Sequence, residues 1–173
     1  MSNSENTADR MFFDTVKLSQ PVNEEIYFML EKNKVIVLRS FEEIWNKRNL
    51  SVIEEIYAVD YIGHIAASAE AIRGPGGLKR FAAMFQLVFP DIYFTIEDQI
   101  AEKNKVATRW RVSATQQGEL MGIPPRGEVI ALMGVSIQHI SDGKIIESWD
   151  NWDALSMLQS LTGDVFELLS VGI

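Results

Sequence analysis

The amino-acid sequence predicts an α+β fold in which N-terminal helices are wrapped by a cone-shaped, curved antiparallel sheet. Apolar residues up to Phe89 recur mostly at helical spacing, whereas from Asp91 onward they alternate with period two. The strand-like segments then follow one another directly, which is the α+β order of elements. At 173 residues the chain suits one well-filled domain rather than two. A sheet curved around helices in this way encloses a pocket.

Glu24 to Asn46 reads as one long amphipathic helix. Leu30, Val37, Leu38, Phe41, Ile44 and Trp45 share its apolar side, and Glu31, Lys32, Arg39, Glu42 and Glu43 remain for water. After a polar break at Asn46 to Asn49, Ser51-Val52-Ile53-Glu54 has the pattern of a capping box and predicts a short helix to about Ala58. Tyr61 to Ile65 follows as a brief strand. Gly74-Pro75-Gly76-Gly77 opens a third helix with the stripe Leu78, Phe81, Ala82, Phe85, Val88 and Phe89. Pro90 ends it by disfavouring helical backbone at Phe89.

Ile92, Phe94 and Ile96 alternate with polar neighbours, as do Val106, Thr108, Trp110 and Val112, so two strands meet at a turn over Lys103-Asn104. A loop from Gly118 to Gly127 carries Pro124-Pro125. Val129 to Ile140 and Lys144 to Trp152 form a long hairpin turning at Ser141-Asp142-Gly143, and Asp153 to Leu161 closes as a helix. The domain is expected over residues 23–162, between a polar extension at 1–22 and an apolar tail at 163–173.

Twenty-four acidic against sixteen basic side chains give a formal net charge of −8, which argues against nucleic acid or an anionic membrane as partner. The chain has no cysteine, removing disulfides, thiolate metal sites and thiol nucleophiles together. With two histidines, a metal site would have to rest mainly on carboxylates, and none is expected. The N-terminus has neither the basic start nor the apolar run of a secretory signal, and no stretch approaches the ~20 apolar residues of a membrane span. A cytoplasmic protein is expected. The glycine patterns of dinucleotide and P-loop sites, HExxH and GxSxG are all missing.

The last hairpin holds the chemistry. With a three-residue turn, Ile140 lies opposite Lys144, Ser136 opposite Ser148, Gly134 opposite Asp150 and Leu132 opposite Trp152, all on one face. Asp150 then sits among small and apolar groups, with Gly134 leaving space across from it. Desolvation raises the pKa of such a carboxylate and suits it to general acid–base work; the competing reading has it facing solvent or capping the last helix, although Asp153 is better placed to cap. His64 is the second catalytic candidate, as a proton shuttle or carbonyl-orienting group, with a structural role as the alternative. Trp110, Trp152, Ser136, Gly134, Phe81 and Tyr61 are the candidate substrate-binding residues, while Trp45 and Phe85 read as core. Val129, Ala131, Met133, Val135, Ile137, Ile145 and Trp149 fall on the opposite face. Helices cannot cover both faces, so a homodimer through this second face is expected.

Phe41-Glu42-Glu43-Ile44-Trp45-Asn46, Tyr61-Ile62-Gly63-His64, Phe89-Pro90-Asp91, the loop Gly118-Glu119-Leu120-Met121-Gly122-Ile123-Pro124-Pro125, Asp142-Gly143-Lys144-Ile145 and Trp149-Asp150-Asn151-Trp152-Asp153 together resemble the SnoaL-like polyketide cyclases of the NTF2-like superfamily, from about Lys34 to Leu161. The resemblance implies a dimeric α+β cone working without metal or organic cofactor. It also implies an aspartate in the last strand that serves as acid–base in an intramolecular aldol ring closure. Asp150 occupies that position. Two family histidines are replaced, by Ser136 in the preceding strand and by Gln116 before the loop.

The expected function is therefore cofactor-independent acid–base chemistry on a hydrophobic carbonyl compound, by ring closure, isomerisation or dehydration. The alternative is a small-molecule-binding module that uses the same pocket without chemistry.

Overall fold

The computed structural model describes residues 24–66 and 69–162. The expected extension and tail, 1–22 and 163–173, lie outside the described residues. Helix α1 spans Glu24–Arg39 and continues into a π-helical turn over Ser40–Asn46, where Lys47 N–H reaches back five residues to the Glu42 carbonyl at 2.9 Å. The expected helix thus keeps its extent but changes its winding. Ser40 donates to the Val37 carbonyl at 2.7 Å within this turn, and Phe41 and Ile44 are buried.

Ser51 to Glu54 does not form the expected capping box. Asn49 takes over: its Oδ1 accepts from Ser51 N–H at 3.3 Å and from the Ser51 hydroxyl at 2.6 Å, opening a 3-10 turn at Leu50–Val52. Glu54 is drawn outward to Lys79, 2.6 Å away. Helix α2, Ile53–Ile56, is therefore short, and strand β1 starts early, at Tyr57, and runs to Ile65. After β2, Ile72–Arg73, helix α3 spans Gly74–Val88 with proline in its first turn and stops before Pro90. Gln86 ties α3 to the π-helical turn through Nε2–H to the Ile44 carbonyl at 2.7 Å.

Strands β3 (Tyr93–Glu102), β4 (Lys105–Thr115), β5 (Val129–Ser141) and β6 (Lys144–Trp152) follow, then helix α4 (Ala154–Thr162). Asp153 caps α4, accepting from Ser156 N–H at 2.9 Å and from its hydroxyl at 2.6 Å. The six strands form one sheet in the order β2-β1-β6-β5-β4-β3. All neighbours are antiparallel except β1 and β6, which run parallel because the chain leaves β1 through α3 and returns to its side only at the last strand. Among the described residues no helix is long and apolar enough to cross a membrane.

The β5–β6 register corrects the expected pairing in an instructive way. The turn has two residues, Asp142 (φ 50°) and Gly143 (φ 75°), so Ser141 faces Lys144 and Ile140 faces Ile145. The backbone twist of an Asp-Gly turn with both residues left-handed matches that of a hairpin. Ile146 is then an extra residue, and beyond it His139 faces Glu147 and Ser136 faces Asp150. Each step shifts the pairing by one place. The total of two leaves every residue from Ser148 onward on the expected face. Lys144 and Ile145 are the exceptions: before the bulge they exchange faces, so that Lys144 lies opposite Ser141 and Ile145 turns inward and is fully buried. Gly134 consequently faces Trp152, not Asp150.

Candidate functional site

The inner face of the sheet, α3 and the π-helical turn enclose a cavity of about 100 Å³, on the order of the space one small ring occupies. Phenylalanine and tryptophan dominate its walls. Phe94 packs at 5.4 Å from Trp45 and 5.1 Å from Trp110, and Phe81 lies 4.8 Å from Phe85, all centroid to centroid. Trp45 and Phe85, expected as core, line this space.

Asp150 stands in this apolar wall. Ser136, directly across the β5–β6 pair, donates to its Oδ1 at 2.5 Å, and Ser148 donates to its Oδ2 at 2.7 Å. Behind each serine is a second donor. The Trp110 indole N–H reaches Ser136 Oγ at 2.9 Å, and the Tyr61 hydroxyl lies 2.7 Å from Ser148 Oγ. Since Ser148 spends its one hydrogen on Asp150, Tyr61 is the donor in that contact. Gly63 makes room for Tyr61, because a β-carbon there would fall 2.4 Å from the hydroxyl.

Burial raises the Asp150 pKa above its ordinary 3.8, against the two serine hydrogen bonds and a still smaller influence of His64, all of which lower it. Burial likewise raises the Tyr57 and Tyr61 phenols, with the nearby Asp150 charge adding to the rise. Tyr61 therefore stays a neutral donor. The two arms behind the carboxylate differ chemically. Trp110 can only donate, so Ser136 has no acceptor to turn to if Asp150 takes up a proton. Tyr61 can accept, so the Ser148 arm can reverse and receive an Asp150 O–H.

Asp150, Trp110, Trp152, Ser136, Phe81 and Tyr61 are thus brought together around one cavity. His64 and Gly134 are not. His64 pairs with Trp149 on the outer face of the sheet, stacking on its ring at 5.6 Å and meeting Glu147 Oε1 at 2.9 Å. Adjacent residues of a strand point to opposite faces, and its neighbour Ile65 is the one that pairs with Asp150 and lines the cavity. The space expected beside Gly134 is filled by the Trp110 indole. Gln138, also in the wall, escaped sequence reasoning although it shares the alternation of Gly134 and Ser136. Among the described residues no group of three or more histidine, aspartate or glutamate side chains gathers as a metal would require.

Gln116 is fully buried and organises the long loop. Its Nε2–H groups donate to the Gly118 and Ile123 carbonyls at 3.1 and 3.2 Å.

Residues 35–161 match the family model described as SnoaL-like polyketide cyclase. Among solved structures, a candidate SnoaL-like polyketide cyclase from Jannaschia sp. CCS1 matches with a TM-score of 0.72 at 24% identity, covering 78% of this chain and 94% of that one. IdmH of Streptomyces antibioticus, a candidate polyketide cyclase, gives 0.64 at 28% identity, over 75% of this chain and 97% of its own. AclR of Streptomyces galilaeus, a candidate hydroxylase, gives 0.68 at 26%, over 78% and 98%. No match was found among curated proteins.

Proposed function

Because the chain belongs to the SnoaL-like polyketide cyclase family, we propose that it catalyses cofactor-independent acid–base chemistry on a hydrophobic carbonyl compound, with Asp150 as the proton-transferring group. The observation that carries this is the Asp150 carboxylate itself, set in an aromatic cavity with both oxygens held by serine hydroxyls. Asp150 removes a proton from carbon next to a carbonyl, and the conjugation of the substrate spreads the enolate charge. The protonated Asp150 is then accommodated on the Ser148–Tyr61 side, where the hydrogen bonds can reverse. Returning that proton to an alkoxide completes an intramolecular aldol closure, the ring-forming reaction to which this reading commits.

The test is exchange of the acidic hydrogens of cyclohexanone in deuterated water, a single-ring ketone of the cavity's size. Wild-type protein is expected to accelerate the exchange, and Asp150→Asn to lose on the order of 10²–10⁴-fold of that acceleration. An Asp150→Asn protein that exchanges at the wild-type rate overturns the assignment.

A second reading, a binding module without chemistry, is favoured by one feature: both carboxylate oxygens are already engaged by the protein. Carboxyl NMR separates the two. A carboxyl that titrates above the ordinary aspartate value supports acid–base work, and one at that value supports binding alone.

A further inference from the structure

Gln138 is 3% exposed, yet its side-chain Oε1 has no hydrogen-bond partner. It sits on β5 between Val106 of β4 and Ser148 of β6, on the inner face, two residues along from Ser136, and it lines the same cavity as Asp150. Unpaired buried polar atoms are uncommon in folded proteins and cost stability. Several of the cavity's own donors are already engaged elsewhere. The Trp110 indole hydrogen goes to Ser136, the Ser136 and Ser148 hydrogens to Asp150, the Tyr61 hydrogen to Ser148 and the Ser40 hydrogen to the Val37 carbonyl.

We propose that Gln138 is a ligand-recognition residue whose amide hydrogen-bonds a hydroxyl group, phenolic or enolic, on the compound that Asp150 acts on. A hydroxyl both donates and accepts, so it satisfies the amide in either orientation, whereas an ammonium group can only donate. Successive inner-face positions of a strand are ~6.5–7 Å apart. One small molecule therefore reaches both groups at once, its acidic carbon toward Asp150 and its hydroxyl toward Gln138. This rests on the reading of the cavity as the reaction site, and it narrows the substrate class from carbonyl compounds in general to hydroxylated ones.

Phenol and toluene differ by a hydroxyl in place of a methyl group and test the proposal without any turnover. Their dissociation constants are measured by NMR titration for the wild type, Gln138→Met, Asp150→Asn and the double variant. The preference for phenol over toluene is expected to fall about tenfold or more on Gln138→Met. It should fall equally in the Asp150→Asn background, which separates the amide from the competing acceptor at Asp150. An unchanged phenol-to-toluene ratio overturns the proposal, and so does a wild-type protein that does not bind phenol. Gln138→Leu replaces Gln138→Met if the latter does not fold. A Gln138-dependent preference together with cyclohexanone exchange that Asp150→Asn leaves unaltered would retain the recognition role and refute the catalytic one. The converse pattern would refute recognition alone.

Discussion

The indole of Trp110 lies on Gly134 so closely that a β-carbon built there would fall 2.3 Å from the ring. The same contact leaves the indole N–H 2.9 Å from Ser136, the residue that holds one oxygen of Asp150. Gly134 is thus part of the carboxylate's support without touching it.

Gly134→Ala is accordingly expected to displace the indole. The Asn151 carbonyl, 2.7 Å from the same β-carbon, blocks relief on the other side. Overpacking of this kind costs about 1–3 kcal/mol, read as a lower urea midpoint, and the indole N–H resonance should move as its bond to Ser136 is lost. A variant with wild-type stability and an unmoved indole signal would contradict this packing.

Stability should depend on pH through Asp150. Burial raises its folded pKa above 3.8, so the folded chain holds a proton there that the unfolded chain has already released. The associated stability is fully present below about 3.8 and is lost as pH rises through the folded value. Asp150→Asn does not titrate. Its stability relative to wild type is expected to increase across that window, by at most about 1.4 kcal/mol per pH unit, and then to level off. Urea unfolding of both proteins over the window checks this, and a pH-independent difference refutes it.

Ser148→Ala removes one of the two donors that favour the charged carboxylate. The Asp150 carboxyl resonance should then titrate at higher pH than in wild type, and the pH at which ketone exchange sets in should rise with it. A titration midpoint that stays or falls would show that the serine does not stabilise the charge.

Much of this site is legible in the chain before any fold is known. Alternation along β5 and β6 puts Ser136, Ser148, Asp150 and Trp152 on one face, and it survives a turn and a bulge because their two one-residue shifts sum to an even number. Ile145, caught between the two shifts, lands on the other face. His64 is not legible in this way. Its face depends on a parallel pairing with β6, some eighty residues away, which no local periodicity reveals. Trp45 reads as core because spacing places an aromatic of the apolar stripe inward without telling whether it meets packed side chains or a cavity.

His64→Ala tests the corrected placement. The residue stacks on Trp149 and contacts Glu147 on the outer face, so ketone exchange should stay within about twofold of wild type. The loss of the stacked ring should cost about 0.5–1.5 kcal/mol of stability. A loss of activity comparable to that of Asp150→Asn would restore His64 to the catalytic set.

The outer face of β5 carries the last prediction. Val129 and Met133 are 67% and 64% exposed, and Val135 and Ile137 add 43% and 39%. This apolar strip lies beside a polar one on β3 and β4, where Arg109 and Arg111 meet Glu97 and Asp98 at 2.8–3.0 Å. Apolar and paired-charge strips side by side can match themselves across a two-fold axis, the geometry of an isologous dimer. The protein is therefore expected to be a homodimer through this face, burying on the order of 1,200–2,000 Å² in total. Ile137→Lys places a charge in the middle of the strip without touching the inner face, although Ser136 and Gln138 are its neighbours. It should sediment as a monomer. Ile137 pairs with Trp149, next to Asp150, so loss of the partner should also loosen the wall behind the carboxylate and weaken phenol binding. A wild-type protein that sediments as a monomer at micromolar concentration, or an Ile137→Lys protein that remains dimeric, would move the interface elsewhere.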